Sequence, residues 1–189
     1  TAEMPGVYCD TRVDLVGTIV GHVHENCILD GKRDIKEGDS VLALRSVSPH
    51  TNGFSFIRAL YNKGKISDDF AKRLLVPHKS YYKDILLIEG AGIPIRALCH
   101  ITGGGLIDNP ERVLPEERAI AWNSFEMGSM FDTLQKISGA DDYEMQRVFN
   151  CGIGMLVFIR KDDEQKTLDL FKDSKFEGMD YAFIVGKVV

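Results

Sequence analysis

The chain has 189 residues, 44% of them hydrophobic and 27% charged, with 23 Lys and Arg against 28 Asp and Glu and a formal net charge of −5. That length suits one domain whose core closes without disulfides or metal, and the composition excludes disordered, collagen-like and coiled-coil chains. The acidic balance lacks the basic excess that phosphate-backbone binding uses, which argues against nucleic acid, and no apolar run approaches the roughly 18–20 residues of a membrane span.

In chain order, Asp14 to Leu29 mixes Val, Ile and His in near alternation and ends on Asp30-Gly31, which predicts a long strand closed by a tight hairpin turn. Ser40 to Arg45 reads as a short strand, followed by the polar loop Ser46 to Gly53 and a helix carrying Phe54, Ile57, Leu60 and Tyr61. Ser67 is placed to cap a helix that stops near Pro77, with Asp68 and Asp69 favourable at its positive end. Lys79 to Glu89 reads as a third helix. Ile95 to Ile101 then reads as a buried strand entering Thr102-Gly103-Gly104-Gly105 and a short helix that ends before Pro115.

Beyond it, Arg118 to Trp122 predicts a strand, and Phe131, Leu134 and Ile137 mark a helix stopped by Gly139. Asp141 caps another. An apolar strand runs from Asn150-Cys151-Gly152 to Ile159, Asp162 starts a helix to Phe171, and Tyr181 to Val189 is the closing strand. Without repeats or linkers, this order predicts one α+β domain, a mixed β-sheet layered with α-helices.

Chemistry concentrates in three loops at strand ends, Ser46 to Ser55, His100 to Gly105 and Phe149 to Gly154. The first two run from strand through glycine to helix, an order that offers N–H groups to an anion. Neither has the Walker or dinucleotide spacing. His50, between Pro49 and a Thr-Asn-Gly turn, is placed to exchange protons or donate to a phosphate near neutral pH, with a capping histidine as the alternative. His22 and His24 share a strand face that suits a metal, but no third ligand lies nearby in sequence and solvent-facing polar positions explain them better, so no metal ligand is assigned. His100 reads equally as a structural histidine or a substrate contact. Cys9, Cys27, Cys99 and Cys151 form no C-x-x-C pair, which fits small buried thiols in a reduced, cytoplasmic setting. The acidic runs at Asp141 and Asp162 read as helix caps.

Taken together, T-A-E-M-P-G-V-Y (Thr1 to Tyr8), S-P-H-T-N-G-F-S (Ser48 to Ser55), H-I-T-G-G-G-L (His100 to Leu106), R-V-L-P (Arg112 to Pro115) and E-M-Q-R-V-F-N-C-G-I-G-M (Glu144 to Met155) resemble, in order, the phosphoribosylformylglycinamidine cyclo-ligase (aminoimidazole ribonucleotide synthetase) family. In that family G-G-E precedes T-A-E-M-P at the junction of two halves, so the chain resembles the C-terminal half. The resemblance implies residues 1–13 as an interdomain junction segment, with Thr1 and Glu3 near the nucleotide, and 14–189 as the substrate-side domain. It implies ATP-dependent ring closure in de novo purine synthesis, with ATP and Mg2+ held mainly by the N-terminal half and the chain inactive alone. It also implies a small-molecule ribonucleotide substrate, the N-terminal half as partner and a homodimer of the whole protein.

Carried over by motif, His50 takes an acid/base or phosphate-stabilising role. Ser48, Thr51, Asn52 and Gly53 form a phosphate-facing wall, Thr102, Gly103, Gly104 and Gly105 hold substrate phosphate, and Asn150 belongs to the F-N-C-G motif at the cleft. Three departures stand out: Ser48 where the family usually has Gly, His78-Lys79 after Pro77 where Thr-Arg is common, and Asp108-Asn109-Pro110-Glu111-Arg112, which shifts the proline relative to the usual E-N-I-P-R. Lys cannot reproduce a bidentate guanidinium grip on phosphate. The competing reading is a non-catalytic nucleotide-binding or structural domain of the same fold. Thiamine monophosphate kinase and selenophosphate synthetase lack this combination of motifs.

Overall fold

The computed structural model describes residues 17–189. Its elements are α1 (Gly31–Asp34), β1 (Ser40–Arg45), α2 (Phe54–Asn62), α3 (Asp68–Leu74), α4 (Tyr82–Gly90), β2 (Ile95–His100), α5 (Gly105–Glu111), β3 (Ile120–Trp122), α6 (Ser129–Ser138), α7 (Asp142–Val148), β4 (Ile153–Ile159), α8 (Glu164–Leu170), β5 (Lys175–Phe176), β6 (Met179–Asp180) and β7 (Ala182–Val188). Five strands form one sheet in the order β2-β4-β1-β7-β3, and β5 and β6 form a small separate pair. The fold is α+β, as expected. Every pairing in the large sheet is antiparallel, however, where a mixed sheet was expected.

The centre of the sheet explains its composition. All six residues of β1 are buried, and β4 is an apolar run buried at every position but Met155. Alternate side chains point to opposite faces, so a strand covered on both faces must be apolar at both parities. Val41 and Ala43 join Ile57, Leu60, Leu74, Leu106, Leu134, Met145 and Phe149 on one face, whereas Leu42 and Leu44 join Tyr81, Ile88 and Phe171 on the other. Helices α2, α3, α5, α6 and α7 therefore cover one face, and α4 and α8 the other.

Local signals place several boundaries. Ser67 Oγ accepts the Phe70 N–H at 3.3 Å and Asp141 Oδ1 accepts the Glu144 N–H at 2.8 Å, satisfying first-turn donors that otherwise lack partners. Gly139 ends α6 at φ 76°, a left-handed conformation that glycine adopts without steric cost. Near the start, the structure differs from the pattern. Residues 17–29 contain one 3₁₀ turn, Glu25–Cys27, and no strand; Ile19 and Val20 are more than 90% exposed. Alternation makes a strand only where a neighbour takes its backbone hydrogen bonds, and no strand pairs with this stretch among the described residues. Asp14 to Val16 lie outside the described residues. Gly31 opens α1 instead of turning a hairpin, and it is glycine because a Cβ would lie 2.4 Å from the Val113 carbonyl oxygen.

Candidate functional site

Antiparallel order brings the three loops together. Arg45 pairs with Ile153 and His100 pairs with Met155, so the C-terminal ends of β1 and β2 and the N-terminal end of β4 share one edge. Residues distant in sequence thereby converge at one end of the sheet.

Asn150 is fully buried and holds the first and third loops. Its Oδ1 accepts from Ser46 Oγ and from the Gly152 N–H, each at 3.0 Å, and its Nδ2 donates to the Ser48 carbonyl at 2.9 Å. Through these bonds Asn150 tethers the first loop to the third. Asn52 makes the corresponding link to the glycine loop by donating to the Thr102 carbonyl. Asn109, which the sequence reading missed, donates to the Gly105 carbonyl at 2.7 Å and the Thr102 carbonyl at 3.1 Å, and accepts from Thr102 Oγ1 at 3.0 Å. A buried amide facing several loop carbonyls is the signal that could have found it, but only tertiary contact reveals which carbonyls those are.

The glycines divide by role. Gly53 caps α2 at φ 71°, and a Cβ there would meet the Phe149 ring at 2.2 Å. Gly105, at φ 58°, would press a Cβ to within 1.9 Å of the Gln146 carbonyl. These two glycines permit close packing. Gly103 is exposed and has nothing within 4 Å of an added Cβ, so it is free to face a ligand, as is exposed Thr51. Beside Gly104 a cavity of about 580 Å³ is lined by Asp108, Asp141 and Glu144 with Arg147 as its cation, a setting of mixed charge tilted toward negative.

His50 is 6% exposed and adopts a left-handed backbone, φ 57°, uncommon for a residue with a Cβ. Neither ring nitrogen has a hydrogen-bond partner. Its ring centroid lies 3.8 Å from that of His78 and 6.5 Å from that of His100, and the His78 and His100 Nε2 atoms are 3.0 Å apart. Burial, reinforced by the neighbouring His78, His100 and Lys79, pushes the His50 pKa down to about 3, so the imidazole is neutral at pH 7. Burial also lowers His78 and His100.

Two of the departures from the family pattern lie here. Ser48 Oγ accepts the His50 N–H at 3.2 Å and donates to the Val76 carbonyl at 3.3 Å, which ties the His50 loop to the segment carrying His78. With its hydroxyl so used and its side chain buried, Ser48 supports the wall from behind. Lys79 pairs with Asp84 at 3.0 Å and lies over the Tyr81 and Tyr181 rings. Along the sequence His78 shows only as a substitution, because it lies 28 positions from His50. His22 and His24 are exposed and join no cluster of three ligating side chains among the described residues; His24 Nδ1 instead accepts the Asn26 N–H. Thr1 and Glu3 lie outside the described residues. No helix among the described residues is long and apolar enough to cross a membrane.

Comparison with known proteins finds curated relatives and similar solved structures. A phosphoribosylformylglycinamidine cyclo-ligase of Polaromonas sp. is 41% identical over 92% of this chain and 52% of its own length, and one of Finegoldia magna is 42% identical over 91% and 52%. The chain thus spans about half the length of the curated relatives it matches. Among solved structures, E. coli HypE, a hydrogenase maturation protein, matches 84% of this chain and 46% of its own at 15% identity and a TM-score of 0.48. The family model described as AIR synthase related protein, C-terminal domain, matches residues 36–189, and to that family this chain belongs.

Proposed function

We propose that this chain supplies the ribonucleotide-side wall of an ATP-dependent cyclo-ligase that closes the imidazole ring of formylglycinamidine ribonucleotide, yielding aminoimidazole ribonucleotide, ADP and phosphate. The observation that carries this reading is the convergence of residues 48–53, 102–105 and 150–154 at one sheet edge, in a chain 41–42% identical to proteins named as such cyclo-ligases. In the reaction, the formyl amide oxygen attacks the γ-phosphorus of ATP and ADP leaves. The amidine nitrogen then attacks the activated carbon and loses a proton as the C–O bond to phosphate breaks. Such a sequence needs alignment and charge stabilisation more than a protein nucleophile.

Within that proposal, Thr51, Thr102, Gly103 and Gly104 meet the substrate, while Ser48, Asn52, Gly53, Gly105 and Asn150 hold the loops that present them. His50, neutral at pH 7, suits proton acceptance from the attacking nitrogen better than a cationic grip on phosphate. Magnesium prefers hard oxygen ligands, and the group of three ligating side chains found among the described residues is all imidazole, so these residues do not fit that ion. ATP and Mg2+ are accordingly assigned to the other half of the relatives' length, and a homodimer to the whole protein.

The 189-residue chain assayed alone should give no ATP-dependent ring closure, whereas the chain joined to the ATP-carrying half of a relative should turn over. Robust turnover by the chain alone would contradict the division of labour, and none from the joined protein would contradict the function. A second reading, a nucleotide-binding or structural domain without catalysis, draws on the burial of His50 behind His78. Tight ribonucleotide binding by the joined protein without turnover would favour it.

A further inference from the structure

We propose that His50, His78 and His100 form a binding site for a borderline-soft divalent transition metal of the zinc type. One ligand nitrogen from each imidazole lies within 4.8 Å of the other two, and the His78 and His100 Nε2 atoms are already 3.0 Å apart. Around a tetrahedral zinc with Zn–N bonds of about 2.0–2.1 Å, ligand nitrogens stand roughly 3.3 Å from one another, so metal binding would replace the 3.0 Å hydrogen bond between His78 and His100 and draw in the nitrogens that lie up to 4.8 Å apart. The independent observation is His50 itself: 6% exposed, with both ring nitrogens lacking a partner and its ring against those of the other two. A buried imidazole is normally hydrogen-bonded, and a cation shared with two further imidazoles would satisfy one of its nitrogens; because that uses the ring's one lone pair, the metal-bound state is an alternative to His50 acting as proton acceptor.

The scaffold is built for such a cluster. Ser48 joins the His50 loop to the backbone at Val76, just ahead of His78, and β2 delivers His100 at its C-terminal end. His78 and His100 are exposed and line an open groove of about 540 Å³, so a three-nitrogen set would leave a coordination position toward solvent for water or an anionic oxygen. The nearby Lys79 ammonium is engaged by Asp84 at 3.0 Å. An all-imidazole set favours zinc, copper, nickel or cobalt over magnesium or calcium.

The test titrates the 189-residue chain with Zn2+ by calorimetry and with Co2+ by visible absorption, in buffer without chelating amines. Expected are one Zn2+ per chain, an intense visible band from tetrahedral Co2+, and no competition from millimolar Mg2+. His78→Thr, at an exposed position that leaves the core intact, should weaken Zn2+ binding roughly a hundredfold or more and abolish the Co2+ band. The double variant H22A/H24A should bind as the parent does. Absence of stoichiometric Zn2+ binding, binding unchanged by His78→Thr, or binding lost in H22A/H24A would each overturn the proposal.

Discussion

Ser48 Oγ accepts the backbone N–H of His50 at 3.2 Å while donating to the Val76 carbonyl at 3.3 Å, so one hydroxyl couples two loops 28 positions apart. A glycine at position 48 would supply neither bond. The substitution that marks this chain off from the family pattern is thereby linked to the second one, His78, through a shared contact.

Replacing Ser48 with Ala strands a backbone donor beside a buried histidine and frees the Val76 carbonyl, at a cost of about 1–3 kcal/mol. Urea unfolding should show a lower midpoint at unchanged m-value. A midpoint equal to that of the parent would mean that water replaces the hydroxyl.

Asn150→Ala removes three buried hydrogen bonds at once, from Ser46, to Ser48 and from Gly152. A loss of about 2–4 kcal/mol is expected from the partners left unsatisfied. Thermal and urea melts check this, and a near-neutral outcome would restore Asn150 as a candidate ligand contact.

Two neighbouring glycines should behave differently. Gly105→Ala faces both a left-handed φ and the Gln146 carbonyl 1.9 Å from its new methyl, so it should destabilise the fold whether or not substrate is present. Gly103→Ala meets open space and should leave stability within about 0.5 kcal/mol. Any rise in KM from Gly103→Ala in the joined protein then reports contact with substrate.

The histidine cluster makes stability pH-dependent in metal-free buffer. His50 titrates at about 6.5 when unfolded and about 3 when folded, so between those values only the unfolded state takes the proton. Stability is therefore full above pH 6.5 and falls as the pH drops toward 3, by at most about 5 kcal/mol from this group. His78 and His100 shift in the same direction and add to the loss. Urea midpoints measured from pH 7.5 to 4.5 should slope downward, and His50→Asn, which tolerates a left-handed backbone, should flatten the slope.

Thiol chemistry offers a further check. Burial pushes the Cys99 and Cys151 thiols up to about 12, whereas Cys27 is exposed. Peptide mapping after brief alkylation should find Cys27 modified and Cys99 and Cys151 protected until unfolding. Rapid labelling of Cys151 would contradict the packing around the third loop.

Much of this protein is legible along its chain because the signals are local. Ser67, Asp141 and Gly139 set helix ends through groups within four residues, and the apolar stretches Val41 to Leu44 and Ile153 to Ile159 announce strands. The motifs around His50, the triple glycine and Asn150 likewise marked three loops that the fold brings together. Tertiary structure decided what no local pattern carries. Alternation at residues 17–29 made no strand, because a strand exists only with a neighbour to take its backbone hydrogen bonds. The division of labour among site residues also depends on depth: Ser48 and Asn150 are turned inward as tethers, while Thr51 and Gly103 stay open. Above all, His50, His78 and His100 meet because β1 and β2 both run antiparallel to β4 and end at one edge, with the α3–α4 segment folded over them. Proximity between residues 22 to 50 positions apart is a property of packing, and only the folded sheet supplies it.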